Sequence, residues 1–152
     1  MGGEKKGFKN LKYGVMLIWD MESGGKAYIR DFPPLELDMP VEFGGKSRFP
    51  CPDDLFFSAI GGCLLTTFLY FNERLKLNLR GLQVSVNGTV GSIGPEGYRV
   101  TGIEAVIHVE VDEEEKLKAE KCAELTKDYC HLTRSLEHGI PIKVWSDVKN
   151  SR

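Results

Sequence analysis

The side chains in this sequence best suited to nucleophilic, redox or metal chemistry are four cysteines, Cys51, Cys63, Cys122 and Cys130, and three histidines, His108, His131 and His138. A thiolate attacks electrophilic centres and can pass through a sulfenic acid to a disulfide, whereas thiolates and imidazoles at short spacing hold zinc. None of the cysteines belongs to a Cys-x-x-Cys pair, and their spacings match no common zinc pattern, so the chemistry points away from a metal. Read from residues alone, Cys63 lies inside an apolar run and has the character of a small core side chain. Cys130, in Tyr129-Cys130-His131 at a predicted helix junction, is the more reactive candidate, because a thiol near a helix start becomes more acidic. His108 falls on the outward face of a predicted strand, while His131 and His138 flank a short helix, and solvated or capping roles are expected for all three.

Composition limits the classes of partner. The chain has 152 residues, enough for one domain with a real core, and its 41% hydrophobic and 28% charged content is ordinary for a soluble globular protein. A net charge of -2, with both signs interspersed, offers no extended positive field for phosphate backbones, so no nucleic-acid partner is expected. Residues 1–10 open charged and glycine-rich and are expected to be flexible. They resemble neither a secretory signal nor a transit peptide, which places the expected location in the cytoplasm. Four cysteines without a signal peptide then suggest catalysis or redox sensing more than a structural disulfide framework.

The elements that must position these thiols follow from periodicity. Residues 11–19 and 26–32 are predicted as strands joined through Glu22-Ser23-Gly24-Gly25, and Pro33 to Pro50 as a loop with a short strand near Leu35 to Leu37. Pro52 suits a first helical position, with Asp53 and Asp54 at the positive end of the dipole. The segment from Leu55 to Phe71 is apolar on every side, so the helix is predicted to be buried centrally rather than to span a membrane. Gly61 and Gly62 inside it imply a close neighbour beside Cys63. Period-two alternation marks strands through Leu82 to Val86, Ile103 to Val111 and Ile140 to Val144, the first two forming an antiparallel pair around Gly94-Pro95. Asp112 and Glu115 resemble a capping box opening a helix to about Lys127, with Ala119, Cys122, Ala123, Thr126 and Tyr129 on one side. A short helix, Leu132 to His138, ends at Gly139. The outline is an α+β domain covering residues 1–152.

The run Pro52-Asp53-Asp54-Leu55-Phe56-Phe57-Ser58-Ala59-Ile60-Gly61-Gly62-Cys63-Leu64 resembles the central helix of the OsmC/Ohr superfamily. Pro40-Val41-Glu42-Phe43-Gly44-Gly45 is similar to the family's preceding loop, and Cys130-His131-Leu132-Thr133-Arg134-Ser135-Leu136 to its second-cysteine segment. The likeness covers roughly residues 12 to 147. It implies antiparallel sheets wrapped around two central helices in an intertwined homodimer, and a peroxidase for organic hydroperoxides that needs no bound cofactor, only an external dithiol such as a lipoylated protein.

In site terms the resemblance implies Cys63 as the thiol that attacks the peroxide and Cys130 as its disulfide partner. Phe56, Phe57, Ile60, Leu64 and Phe68 would form an apolar wall for the substrate. A mid-helix thiol gains little from the dipole, so a cation is needed to ionise it. Arg48, five positions before Asp53, matches the family spacing of an arginine held by an acid, and members with the arginine further upstream would draw on Lys26 or Arg30. Asp53 stands where the family has Glu, and His131 where it usually has Pro. Ten residues separate Asp53 from Cys63, about 15 Å and about 80° apart on one helix, so Asp53 can serve the thiol only through an intermediary or from a second subunit. The competing expectation is a family member that binds an apolar ligand or senses oxidants at the same pocket without turnover. Cys51 and Cys122 have no family counterpart; an incidental residue and a packing residue are expected.

Overall fold

A computed structural model describes residues 9–151, so the expectation of a flexible residue 1–10 segment lies, for residues 1–8, outside the described residues. The chain divides into two compact units at Pro52/Asp53.

The first unit is an antiparallel meander of β1 (Met16–Trp19), β2 (Gly24–Tyr28) and β3 (Leu35–Asp38), in that spatial order. Pairing runs from Met16 opposite Tyr28 to Trp19 opposite Gly25. The strands are shorter than the sequence suggests, and the glycines predicted for the turn belong to β2. Asp20 explains the shift: its carboxylate accepts the N–H groups of Glu22 and Gly24, closing the turn locally. Gly24 serves close approach, since a Cβ there would stand 2.1 Å from the Leu37 carbonyl oxygen. All four β1 side chains are exposed.

The second unit joins α1 (Pro52–Leu75), β4 (Leu79–Ser92), β5 (Tyr98–Val111), α2 (Lys116–Tyr129), α3 (His131–Leu136) and β6 (Ile142–Asn150). The β4–β5 pair is antiparallel as expected, with Val84 opposite Ile107. The edge strand β6 pairs with β5 in parallel, Ile103 opposite Ile142 through Val111 opposite Asn150. Parallel neighbours require a crossover, and α2 with α3 supplies it. Alternation along β5 is realised in full: Ile103, Ala105, Ile107, Val109 and Val111 are buried. They meet Ile60, Leu64 and Phe68 from α1 and Ala119, Cys122 and Ala123 from α2 in one core. Fully burying each of the large apolar side chains contributes about 1.5–3 kcal/mol.

Two helix expectations change. On α1 only Ile60, Cys63, Leu64 and Phe68 are buried, while Ala59, Gly62, Leu69 and Tyr70 are exposed. The helix is apolar all round, yet within the second unit one sheet and two shorter helices cover a single stripe of it. By length and composition alone its 24 residues would suffice to cross a bilayer. Gly61 does sit close to the sheet, its virtual Cβ 3.1 Å from Val86, whereas Gly62 faces open space. The Asp112 capping box does not form: no side-chain cap is made, a 3-10 turn over Glu113–Glu115 precedes α2, and Tyr129 points outward. Stronger partners hold both acids, since Asp112 accepts from Arg80 at 2.8 Å and Ser151 at 2.6 Å, and Glu115 from the Asn78 N–H.

Candidate active site

Cys63 is carried by the buried stripe of α1, one residue before Leu64. Cys130 occupies the break between α2 and α3, where extended backbone (φ -63, ψ 107) interrupts two helical runs. The break keeps its hydrogen bonds: the Cys130 N–H donates to the Thr126 carbonyl, and the Cys130 carbonyl accepts from the Arg134 N–H and the Thr133 hydroxyl. The two sulfurs lie 3.2 Å apart, Cys130 donating to Cys63. A disulfide requires about 2.05 Å, so a contraction of about 1 Å would join them. Cys130 is wholly enclosed and Cys63 is 8% exposed, making Cys63 the outer sulfur.

Burial pushes the Cys63 thiol above its ordinary range, and the neighbouring Cys130 thiol adds to the shift. The Leu132 N–H and the Thr67 hydroxyl, 4.0 Å away, act in the opposite direction. The His131 ring also reaches this sulfur: Nδ1 lies 3.6 Å from Cys63 Sγ, and the residue is exposed to solvent. Sequence reasoning gave His131 a solvated or capping role and missed this contact. Its one sequence signal was adjacency to Cys130 at a helix junction.

Cys122, by contrast, is a packing thiol. Burial raises it to about 11, and its S–H donates to the Phe68 carbonyl at 3.4 Å. Cys51 is half-buried just ahead of α1. His108 pairs with Ser85 at 3.2 Å and Asp147 at 3.5 Å, and His138 is exposed. Among the described residues, no group of three or more His, Cys, Asp or Glu side chains is arranged to hold a metal ion.

Arg48 is placed in the first unit, where it ties the β1–β2 turn to the end of β3. Its Nε donates to Asp38 at 2.8 Å and its Nη2 to Asp20 at 2.6 Å, with Glu22 at 3.4 Å. Asp38 is fully enclosed and also accepts from Ser23 and from the N–H groups of Met39 and Arg48. The Arg48 guanidinium thereby holds the Asp38 carboxyl well below the usual range, and both acids push Arg48 up. The carboxylates that hold Arg48 are thus Asp38 and Asp20. Asp53 occupies the first turn of α1.

Of the expected apolar wall, Ile60, Leu64 and Phe68 belong to the core, while Phe56 and Phe57 are partly buried. Leu64 and Phe68 have no exposed surface and Ile60 almost none, and Phe57 lies against Gly88. A recess of about 380 Å³ is lined instead by Thr66, Thr67, Tyr70, Phe71 and Tyr129, beginning at the threonine that faces Cys63.

Comparison with known proteins agrees on the fold. The family model for OsmC-like proteins matches residues 44–144. An OsmC-like protein from Mycoplasma pneumoniae superposes with a TM-score of 0.75 at 17% identity, over 95% of this chain and 100% of that one. Organic hydroperoxide resistance proteins from Legionella pneumophila (TM-score 0.71, 15% identity, 93% and 100% covered) and Elizabethkingia anophelis (0.72, 16%, 93% and 99%) are similarly close. No curated protein matches by sequence.

Proposed function

The chain belongs to the OsmC-like family, and from that premise we propose that it is a thiol-dependent peroxidase reducing organic hydroperoxides to alcohols. The observation that carries this reading is the 3.2 Å contact between Cys63 and Cys130. The Cys63 thiolate attacks the terminal peroxide oxygen, the O–O bond breaks, and the electron pair leaves on the alkoxide, which takes up a proton as alcohol. Sulfur is oxidised to sulfenic acid and the peroxide is reduced. Cys130 then attacks the sulfenic sulfur, water leaves, and the disulfide is reduced by an external dithiol. The partial exposure of Cys63 and the enclosure of Cys130 support this division of roles.

The recess of about 380 Å³ beside Thr67, with Tyr70, Phe71 and Tyr129 in its lining, supports a substrate bearing a hydrocarbon group. The uncovered apolar side of α1 supports a homodimer in which a second copy covers Gly62, Leu69 and Tyr70. Burial that raises the Cys63 thiol favours the competing reading, an oxidant-sensing or ligand-binding protein on the same two sulfurs.

Single-turnover oxidation separates the readings. Reduced protein mixed with one equivalent of cumene hydroperoxide releases one equivalent of cumyl alcohol, loses two thiols, and regains them with dihydrolipoamide. Alcohol release unaffected by Cys63→Ser overturns the peroxidase reading, and oxidation without regeneration favours the sensor.

A further inference from the structure

The side chains in hydrogen-bond contact with the Cys63 sulfur are Cys130 at 3.2 Å, Thr67 at 4.0 Å and His131 at 3.6 Å. Of these three, only the imidazole can carry positive charge, and only a nitrogen base can take the thiol proton near neutral pH. We infer that His131 is the acid–base partner of Cys63: Nδ1 takes the thiol proton to form a thiolate–imidazolium pair, then returns that proton to the departing alkoxide. The inference rests on the peroxidase reading for its second half only, since the ion pair exists before any peroxide arrives.

The step balances without a further reactant. Before attack, the neutral imidazole with its proton on Nε2 accepts the Cys63 S–H at Nδ1. When the thiolate displaces the alkoxide, the terminal oxygen and its proton stay on sulfur as sulfenic acid. The alkoxide carries away the O–O electron pair and is neutralised by the imidazolium. The imidazole ends neutral, ready for the next cycle once the disulfide has been reduced.

Position suits this role. His131 is the first residue of α3, directly after the break that seats Cys130, so the same turn of chain brings the resolving sulfur and the imidazole to Cys63 from a distance of 67 and 68 positions in sequence. Cys63 is 8% exposed whereas His131 is exposed, so the ring can exchange protons with water while the sulfur stays largely desolvated. Desolvation makes the thiolate costly, and an adjacent cation is the means of offsetting it.

The test compares wild type with His131→Gln, which keeps hydrogen-bonding capacity and removes the charge. Iodoacetamide alkylation of the Cys63 peptide is followed by mass spectrometry from pH 5 to 10, in the presence of reductant and without peroxide. Besides His131, Cys130 is the titratable group at this sulfur, and its own peptide is read in the same experiment. The midpoint for Cys63 is expected to rise by about one unit in His131→Gln, with alkylation at pH 7 about tenfold slower. Cumene hydroperoxide turnover is expected to fall about 10²-fold at pH 7 and to recover in part at pH 9.

A reciprocal measurement needs no His131 variant. The His131 ring nitrogen resonances, read by NMR at pH 7, are expected to move toward the neutral-imidazole pattern in Cys63→Ser relative to wild type, because the thiolate partner is lost. Superimposable alkylation profiles in wild type and His131→Gln, or His131 ring resonances unmoved in Cys63→Ser, overturn the inference and leave the peroxidase reading intact. Shifted profiles in a protein that never turns over hydroperoxide sustain the pair and sink the peroxidase reading instead.

Discussion

Cys130 Sγ lies 3.2 Å from Cys63 Sγ, Cys130 being fully enclosed and Cys63 8% exposed as a residue. On the proposed peroxidase reading, that asymmetry lets an oxidant meet Cys63 first, with the Cys130 sulfur 3.2 Å away. One equivalent of cumene hydroperoxide is therefore expected to yield a Cys63–Cys130 disulfide in non-reducing peptide maps, with Cys51 and Cys122 unmodified. In Cys130→Ser the sulfenic acid on Cys63 should persist and be trapped by dimedone. Disulfides distributed among all four cysteines would contradict the arrangement.

Burial sets a different expectation for Cys122, whose thiol is raised to about 11 and whose S–H is engaged by the Phe68 carbonyl. The native protein should leave Cys122 unalkylated at pH 8 until it unfolds. Cys122→Ala should cost about 1 kcal/mol in chemical denaturation, the range for losing a small buried group, with peroxide turnover retained.

Asp38, held by Arg48 together with Asp20, is expected to contribute to the acid sensitivity of the first unit. Its folded value is depressed, chiefly by the Arg48 side chain, so its contribution to stability is fully present above the ordinary aspartate value of about 3.9 and is lost as pH falls below it. Amide protection in β2 and β3, referenced to the intrinsic exchange rate at each pH, should fall more between pH 4 and pH 2.5 in wild type than in Asp38→Asn. The variant should also be the less stable of the two at pH 7. An identical acid response in both would show that the carboxylate makes no such contribution.

Gly88 tests how α1 docks on the sheet. A Cβ at this position would stand 2.0 Å from the Phe57 ring, which must therefore move. Gly88→Ala is expected to destabilise by about 1–3 kcal/mol in denaturant titration, the usual cost of overpacking, and Gly88→Ala combined with Phe57→Leu should recover part of that loss.

Much of this fold is legible in the sequence because the relevant signals are local. The strict alternation of Ile103 to Val111 specifies a strand with one buried face, and Pro52 with two acids marks the start of α1. Gly24 and Gly25 misled because glycine marks turns and close backbone approach alike, and only the Asp20 side chain decides which applies. The capping box failed for a related reason: Asp112 and Glu115 have the right spacing, yet Arg80, Ser151 and Asn78, distant in sequence, compete for their carboxylates. The parallel placement of β6 depends on the path taken by α2 and α3, which no periodicity reports. At the site, its apolar neighbours give Cys63 the character of a core residue and only the family resemblance pairs it with Cys130, whereas the approach of the His131 ring depends on the chain break at Cys130, which no local signal reports.

Steady-state reduction of cumene hydroperoxide coupled to dihydrolipoamide, compared between wild type and Cys63→Ser and against hydrogen peroxide, tests the peroxidase reading most directly. The account predicts sustained turnover in wild type, a preference for cumene hydroperoxide, and no activity above the uncatalysed rate in Cys63→Ser. Equal rates in wild type and Cys63→Ser would contradict it.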